Sequence, residues 1–138
     1  MRRKSPSTGN LVNSMLDEWK RGMLTFWALG LLVRRPMYGL EIKKEIETST
    51  KGKMELGAST IYQLMRRLES RGLVLSRWVK TGTGPPRAYY ELTPVGREVV
   101  FRYAAEVLSP SSPVSAAINA LTAEIYQQPE ERNSTDEG

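Results

Sequence analysis

The clearest pattern in the sequence is an amphipathic helix predicted over residues 59–71. One face carries apolar side chains at the three-and-four spacing of a helix, namely Ile61, Leu64, Met65 and Leu68. The opposite face carries polar and basic side chains, namely Ser59, Gln63, Arg66, Arg67 and Ser70. Ser59 or Thr60 is suited to cap the first turn, and Gly72 is suited to end the helix in a left-handed conformation.

A β-hairpin is predicted directly after this helix. Apolar and polar residues alternate over 73–80 and again over 87–92, which indicates two half-buried antiparallel strands. The residues predicted to face inward are Leu73, Leu75, Val79, Ala88, Tyr90 and Leu92. The joining turn contains two glycines and two prolines between Lys80 and Arg87, a composition that suits a close approach of backbone and cations to phosphates. An ordinary exposed hairpin would explain the glycines equally well.

Further helices are predicted on both sides of this unit. The first spans about residues 12–33 and carries more apolar surface than one small domain needs, which suggests contact with a second copy. The second opens around Met37 or Tyr38, with Leu40, Ile42 and Ile46 inward. Another is predicted to be capped by Thr93, with Pro94 in its first position.

The prolines of the segment SPSSP, residues 109–113, must interrupt this last helix. A further amphipathic stretch follows, with apolar residues at helical spacing: Val114, Ala117, Ile118, Leu121 and Ile125. We expect it to extend a contact between subunits, and the alternative is a loose flanking helix.

Charge and composition favour a polyanionic partner and exclude several chemistries. The formal net charge of the 138 residues is +5, but residues 1–108 carry nineteen Lys or Arg against ten acids, and residues 109–138 carry one against five. A basic body of this kind favours nucleic acid, whereas a merely soluble basic protein is the alternative. The chain has no Cys and no His, which removes disulfides, thiolate and imidazole catalysis and the usual zinc ligands.

The sequence predicts no enzyme, cofactor or metal site and no membrane segment. Glu41, Glu45 and Glu47 stand among lysines, where surface pairing at helical spacing explains them. The most apolar run, residues 23–33, has about half the length that a bilayer requires. The segment MRRKSPSTGN resembles a basic disordered arm and lacks the pattern of a signal peptide, so the cytoplasm is the expected location.

Helix and hairpin together indicate a winged helix, and here the chain resembles the PadR-type transcriptional regulators. The resemblance rests on three segments in the family's order and spacing: LTFWALGLLVRRPMYGLEIKKEIE, ASTIYQLMRRLESRGLV and GPPRAYYELTPVGRE. It covers about residues 11–107 and implies a homodimer in which the last helix packs against the first helix of the other subunit.

These observations predict a mainly α protein with a small β-hairpin, an α+β winged helix-turn-helix with long N-terminal and C-terminal dimerisation helices. The expected organisation is a basic arm over 1–10, a DNA-binding domain over 11–93, a dimerisation region over 94–128 and an acidic disordered tail over 129–138. The expected function is a homodimeric repressor on a palindromic operator in double-stranded DNA. A sequence-tolerant architectural DNA-binding protein is the main alternative, and a protein-interaction module is a third.

The residues expected at the DNA follow from the outward face of the 59–71 helix, the hairpin turn and the resemblance. Arg66 and Arg67 are candidates for guanine edges or phosphates, and Gln63 for an adenine edge. Phosphates are expected at Ser59, Thr60, Tyr62, Lys80, Thr81, Gly82 and Arg87, with a flexible contact from Arg2, Arg3 and Lys4. The resemblance implies that Tyr38 also lies at the DNA face. The alternative is that Arg66 and Arg67 form only a solvent-exposed helix face.

A small hydrophobic effector is a further expectation. Trp19, Phe26 and Trp27 offer aromatic surface for a flat cavity between subunits, as in the drug-binding members of the family, and the alternative is that they form the dimer core. Val107 departs from those members, which present a stacking tryptophan near this position of the last helix.

Overall fold

A computed structural model describes residues 7–129 of the chain. The predicted tail beyond residue 129 and the basic residues Arg2, Arg3 and Lys4 of the predicted arm lie outside this range. The elements are, in chain order, helix α1 (Thr8–Arg34), strand β1 (Met37–Tyr38), helix α2 (Gly39–Ser49), helix α3 (Ala58–Ser70), strand β2 (Val74–Val79), strand β3 (Arg87–Leu92), helix α4 (Pro94–Tyr103), a π-helical turn (Ala104–Leu108) and helix α5 (Pro113–Tyr126). No helix within residues 7–129 combines the length and apolar character needed to span a bilayer.

The core forms where the apolar stripe of α3 packs against α2 and the C-terminal half of α1. The predicted stripe of α3 is confirmed, because its four apolar side chains are almost completely buried. They meet Ile42 and Ile46 of α2 and Leu29 of α1 in one cluster, which Val74 and Val100 extend. Burial of such side chains is the main favourable term in folding.

Helix α1 is longer than the pattern predicts. It begins at Thr8, because the Ser7 hydroxyl accepts a hydrogen bond from the Asn10 N–H at 3.1 Å and so caps the first turn. Residues 8–10 therefore belong to this helix. It ends at Arg34, since Arg35 is extended before Pro36.

A short strand precedes α2, and the sequence pattern misses it. Met37 and Tyr38 pair with Tyr90 and Tyr89 of β3, so the sheet has three antiparallel strands in the order β1, β3, β2. Two residues are too few to show an alternating pattern. The helix itself starts at Gly39, where the Glu41 carboxylate accepts a hydrogen bond from the Tyr38 N–H at 3.1 Å.

Two predictions about the helix-turn-helix need correction. Leu40 is 46% exposed, because it lies two residues before buried Ile42 and so points to a different side of α2. Neither Ser59 nor Thr60 caps α3, because the helix begins one residue earlier and Gly57 holds the capping position. Gly72 adopts the predicted left-handed conformation after α3, with φ of 76°.

Leu73 is buried as predicted, but the inward and outward faces of β2 itself are opposite to the prediction. The Leu73 N–H donates to the Leu68 carbonyl at 3.0 Å, and the Thr93 N–H donates to the Leu73 carbonyl at 3.1 Å, so Leu73 is fixed before the strand begins. Val74 then becomes the buried residue opposite Leu92, and Leu75 and Val79 fall on the exposed face. Tyr90 and Leu92 of β3 pack against the core as predicted.

Helix α4 begins as the sequence predicts. The Thr93 hydroxyl accepts from the Gly96 N–H at 3.0 Å and donates to the Gly72 carbonyl at 2.6 Å, which ties the start of α4 to the end of α3. A Cβ at Gly96 would overlap the Leu73 carbonyl oxygen. The absence of a side chain at residue 96 therefore permits α4 to lie against the chain that enters the hairpin.

The predicted break between α4 and α5 is also present. The buried Ser112 hydroxyl donates to the Val107 carbonyl at 2.7 Å and accepts from the Ser115 N–H at 3.1 Å, so it joins the π-helical turn to the first turn of α5. The apolar stripe of α5 lies in solvent within this single chain.

We predict that Gly96→Ala destabilises the fold by about 1–3 kcal/mol, because the added methyl group collides with backbone that cannot rotate away. Urea denaturation monitored by circular dichroism measures the change. Gly9→Ala is the matched control, since a Cβ at residue 9 meets no atom within 4 Å, and it should stay within about 1 kcal/mol of the unmodified protein. Equal midpoints for both variants would contradict the packing described here.

Candidate nucleic-acid interface

The outward face of α3 is a basic surface opposite the buried stripe. Gln63, Arg66, Arg67 and Ser70 line one shallow hollow on this face, and all four side chains are exposed. Ser59 and Thr60 are exposed in the first turn of the same helix. The α3 residues predicted to contact DNA therefore lie on a single solvent-facing side of one rigid element.

The wing, defined as β2, β3 and the turn over residues 80–86, projects beside α3. Lys80, Thr81, Gly82 and Arg87 are all exposed, and Gly82 adopts a left-handed φ of 63°. Glycine takes this conformation without steric cost. The turn can consequently bring its backbone N–H groups and Lys80 close to an approaching surface.

The cations of this surface are not neutralised by neighbouring acids. Other surface cations of the chain pair with carboxylates, as in Lys43 with Glu47 at 3.0 Å on α2 and Arg77 with Glu91 at 2.9 Å between the two strands of the wing. Within residues 7–129, no carboxylate forms an ion pair with Arg66, Arg67, Lys80 or Arg87. Their positive potential is therefore available to an anionic partner.

Glu69 fixes the position of the wing relative to α3. Its carboxylate accepts hydrogen bonds from the Ser76 N–H at 3.2 Å and the Ser76 hydroxyl at 2.9 Å. Tyr90 lies behind this contact, where burial, assisted by the negative charge of Glu69, raises the pKa of its phenol. The two hydrogen bonds between Glu69 and Ser76 therefore orient the basic face of α3 and the wing relative to each other, although the two are separate in sequence.

Glu47 fixes the connector that leads into α3. Its carboxylate accepts a hydrogen bond from the Leu56 N–H at 2.8 Å, and this bond, together with the Lys43 ammonium, holds the pKa of Glu47 below its ordinary value. Lys51 and Gly52 turn the connector with φ of 53° and 77°. These contacts set where α3 begins.

The Tyr38 ring packs against the side chains of Arg87 and Tyr89. The Arg87 guanidinium carbon lies 4.5 Å from the centre of the Tyr38 ring, and the Tyr89 ring packs edge-on against Tyr38 at 5.3 Å. A cleft opens beside this stack between α2, α3 and the wing. We call it the wing cleft; the side chains around it include Tyr38, Leu40, Tyr62, Trp78, Pro86 and Arg87.

Sequence reasoning missed Trp78 and Leu40 as candidates for this site. The alternation along β2 places Trp78 among polar residues. A tryptophan on the polar side of a strand is the sequence feature that could have identified it as a site residue. Leu40 was assigned to the core. Only the packing of α2 against the wing brings both side chains to the rim of the same cleft.

The aromatic residues proposed for an effector lie together on α1. Trp19, Phe26 and Trp27 line an open cleft of about 320 Å³, the α1 cleft, with Met23, Leu31 and Arg34. Trp19 and Trp27 meet edge-on with 6.3 Å between ring centres, and Phe26 packs on Tyr103 of α4 at 5.5 Å. Between residues 7 and 129, no group of acidic side chains is arranged to hold a metal ion.

Three helices other than α3 expose apolar side chains along much of their length. Within this chain, solvent reaches residues of α1, α4 and α5, among them Leu11, Met15, Val95, Phe101, Ile118, Leu121 and Ile125. Monomers rarely expose contiguous apolar surface of this extent, which more often marks a contact with another protein.

Comparison with known proteins identifies the same architecture. The model of the "Transcriptional regulator PadR-like family" matches residues 28–102, more than half of the chain. A protein of Lysinibacillus sphaericus described as uncharacterized is 30% identical over 77 residues, which are 56% of this chain and 71% of that protein.

Solved structures agree with this match. A PadR family transcriptional regulator from Eggerthella lenta DSM 2243 is similar with a TM-score of 0.66 and 30% identity, over 88% of this chain and 96% of that one. Bacillus subtilis PadR in complex with operator DNA gives a TM-score of 0.55 at 20% identity, over 74% of this chain and 59% of that one. The second likeness concerns the fold alone.

Proposed function

The chain belongs to the PadR-like family of transcriptional regulators, and we propose that it is a homodimeric repressor that binds a palindromic operator in double-stranded DNA. Members of this family are transcription regulators and not enzymes. The observation that carries the proposal is a set of four basic side chains without acidic partners within residues 7–129, namely Arg66 and Arg67 on the outer face of α3 and Lys80 and Arg87 beside the turn of the wing. Glu69 holds α3 and the wing side by side.

Helix α3 has the dimensions and the side chains to enter a major groove. Thirteen residues extend about 20 Å at roughly 1.5 Å per residue. Arg66 and Arg67 are assigned to guanine edges or phosphates, and Gln63 to an adenine edge. Ser59, Thr60 and Tyr62 are assigned to phosphates at the start of the helix.

The wing is assigned to the sugar–phosphate backbone. Lys80 and Arg87 flank the turn, and Thr81 and Gly82 allow its main chain to approach closely. A solved relative of the same fold, Bacillus subtilis PadR, is bound to operator DNA, which supports the choice of partner for this chain.

The exposed apolar faces support a homodimer. Val114, Ile118, Leu121 and Ile125 form one stripe on α5, and each is about half exposed in the single chain. We assign residues 94–128 to dimerisation, together with the exposed part of α1, and residues 11–93 to DNA binding. Twofold symmetry would then place two copies of α3 in successive major grooves about 34 Å apart.

The α1 cleft supports a small hydrophobic effector that releases the DNA. Its volume of about 320 Å³ falls at the lower end of ligand pockets, which begin at about 300 Å³. Its walls are apolar and aromatic, with the Arg34 guanidinium at the edge. Because the cleft is open on one side, we propose that the partner subunit closes it.

We predict that Arg66→Ala together with Arg67→Ala weakens binding to the protein's own promoter by about 30-fold or more, since each contact contributes about 1–3 kcal/mol. Fluorescence anisotropy with promoter and scrambled duplexes measures the effect. Arg97→Ala with Arg102→Ala removes the same formal charge from α4 and should change the affinity much less. Equal losses in both double variants would reject the assigned interface. Equal affinity of the unmodified protein for both duplexes would favour the architectural alternative.

We predict that Ile118→Glu together with Leu121→Glu converts the dimer to monomers, because two charges would be buried in the subunit contact without partners. Light scattering coupled to size exclusion at micromolar concentration measures the mass. Asn119→Glu is the control on the polar side of α5 and should stay dimeric. A monomeric unmodified protein would contradict the proposed half-site geometry.

We predict that flat hydrophobic compounds quench tryptophan fluorescence and release the operator. Trp27→Ala should abolish both effects by opening the wall of the α1 cleft, whereas Leu75→Ala on β2 lies outside the lining of that cleft and should leave them intact. A Trp27→Ala protein that loses its dimer, with no compound bound by the unmodified protein, would show that these aromatic side chains form the subunit core instead.

A further inference from the structure

Trp78 is the most exposed large hydrophobic side chain around the wing cleft. Its side chain is 73% exposed, although the residue lies within β2 and pairs with Ala88. The core does not require it, because the buried part of β2 ends near Val74. Tryptophan combines a large apolar surface with one N–H donor, and such side chains are enriched where proteins bind partners.

Arg87 is the charged group of the same cleft, and its neighbours hold it in place. The Tyr38 ring lies beneath the guanidinium at 4.5 Å, and Tyr89 supports that ring from the side. An arginine stacked on an aromatic ring keeps its N–H donors free at the edge of the guanidinium plane. No carboxylate of residues 7–129 pairs with it. The cleft therefore holds the N–H donors of the Arg87 guanidinium in one orientation, beside the apolar indole ring of Trp78.

The size and surroundings of the wing cleft indicate what it can hold. Its volume of about 170 Å³ is below the range of drug-sized ligand pockets, which begin at about 300 Å³. The cleft lies between two elements that carry uncompensated cations: Tyr62 brings it to α3, which exposes Arg66 and Arg67, and Arg87 brings it to the wing, which exposes Lys80. A narrow cleft between two cationic surfaces is complementary to an anionic polymer that passes through it.

We propose that the wing cleft binds one sugar–phosphate unit of the operator strand that crosses between α3 and the wing. Arg87 donates to the phosphate, the Trp78 indole packs against the deoxyribose, and Tyr38 is a positioning residue that orients Arg87 through its ring. This assignment rests on the proposed function, since it needs DNA seated on α3. It adds Trp78 to the interface and gives Tyr38 an indirect role at the DNA face.

The first test compares Trp78→Ala with Leu75→Ala, which changes an exposed residue on the opposite face of the same strand. Trp78→Ala should weaken operator binding by about tenfold. It should leave the dependence of affinity on salt unchanged, because no charge is lost. Lys80→Ala, in contrast, should lower the salt slope by about one. Equal operator affinities for Trp78→Ala and Leu75→Ala would overturn the assignment of Trp78.

Fluorescence gives a second measure of the same contact. The chain has three tryptophans, and Trp19 and Trp27 lie together on α1 in the α1 cleft. Addition of operator DNA should change the emission of the unmodified protein, and Trp78→Phe should remove most of that change. An identical change in both proteins would show that Trp78 does not contact the DNA.

Tyr38 is tested by separating its ring from its hydroxyl. Tyr38→Phe keeps the ring under Arg87 and should retain operator affinity within about twofold. Tyr38→Leu should lose about tenfold, and should lose little more when combined with Arg87→Ala, because both changes remove the same phosphate contact. A Tyr38→Phe protein as weak as Tyr38→Leu would show that the hydroxyl itself binds phosphate. Additive losses in the double variant would also overturn the positioning role.

These outcomes separate this inference from the function on which it rests. If the unmodified protein binds promoter and scrambled DNA equally well, it has no specific operator, and the proposed function is wrong. If the unmodified protein binds its promoter specifically while Trp78→Ala matches Leu75→Ala, specific binding stands and only the wing cleft is wrongly assigned.

Discussion

Burial of one apolar stripe on α3 is the constraint on which the rest of the structure depends. Ile61, Leu64, Met65 and Leu68 are almost fully removed from solvent. At about 1.5–3 kcal/mol for each buried side chain, the stripe contributes an amount comparable to the whole stability of a typical domain, about 5–15 kcal/mol. The helix therefore cannot turn about its axis, and the arginines on its other side must face solvent. The basic surface is a direct consequence of core packing.

Two glycines and two carboxylates position the neighbouring elements around α3. As a result, α3 and the wing form one surface. Gly72 reverses the chain after α3, and Gly96 lets α4 approach the start of the hairpin. Glu69 binds the helix to the wing, and Glu47 binds the connector ahead of the helix. These acids bond to main chain and to neighbouring side chains away from the outer face of α3. The structure thus uses its negative charges to position elements, while Arg66, Arg67, Lys80 and Arg87 have no acidic partners within residues 7–129.

Packing within one subunit does not account for the apolar faces of α1, α4 and α5. Their side chains have the spacing of amphipathic helices, but the single chain provides no element to cover them. Their exposed apolar residues belong to elements other than α3 and the wing, so the proposed subunit contact uses different residues from the basic surface. This separation is what a twofold DNA-binding protein requires, because one surface must pair with its copy while the other meets the duplex.

The sequence by itself determined the helices, the left-handed stop at Gly72, the cap at Thr93 and the break at 109–113, because spacing, capping and proline chemistry act within a few residues along the chain. It also placed the basic face of α3 opposite the apolar stripe. Only the tertiary structure decided the inward face of β2, the exposure of Leu40 and the pairing of Met37 and Tyr38 with β3. Each of these depends on contacts between residues distant in sequence, as when Thr93 fixes Leu73 and thereby sets the alternation of the strand. The stack of Arg87 on Tyr38 and the cleft beside Trp78 have the same origin, since three separate elements must pack before those side chains can meet.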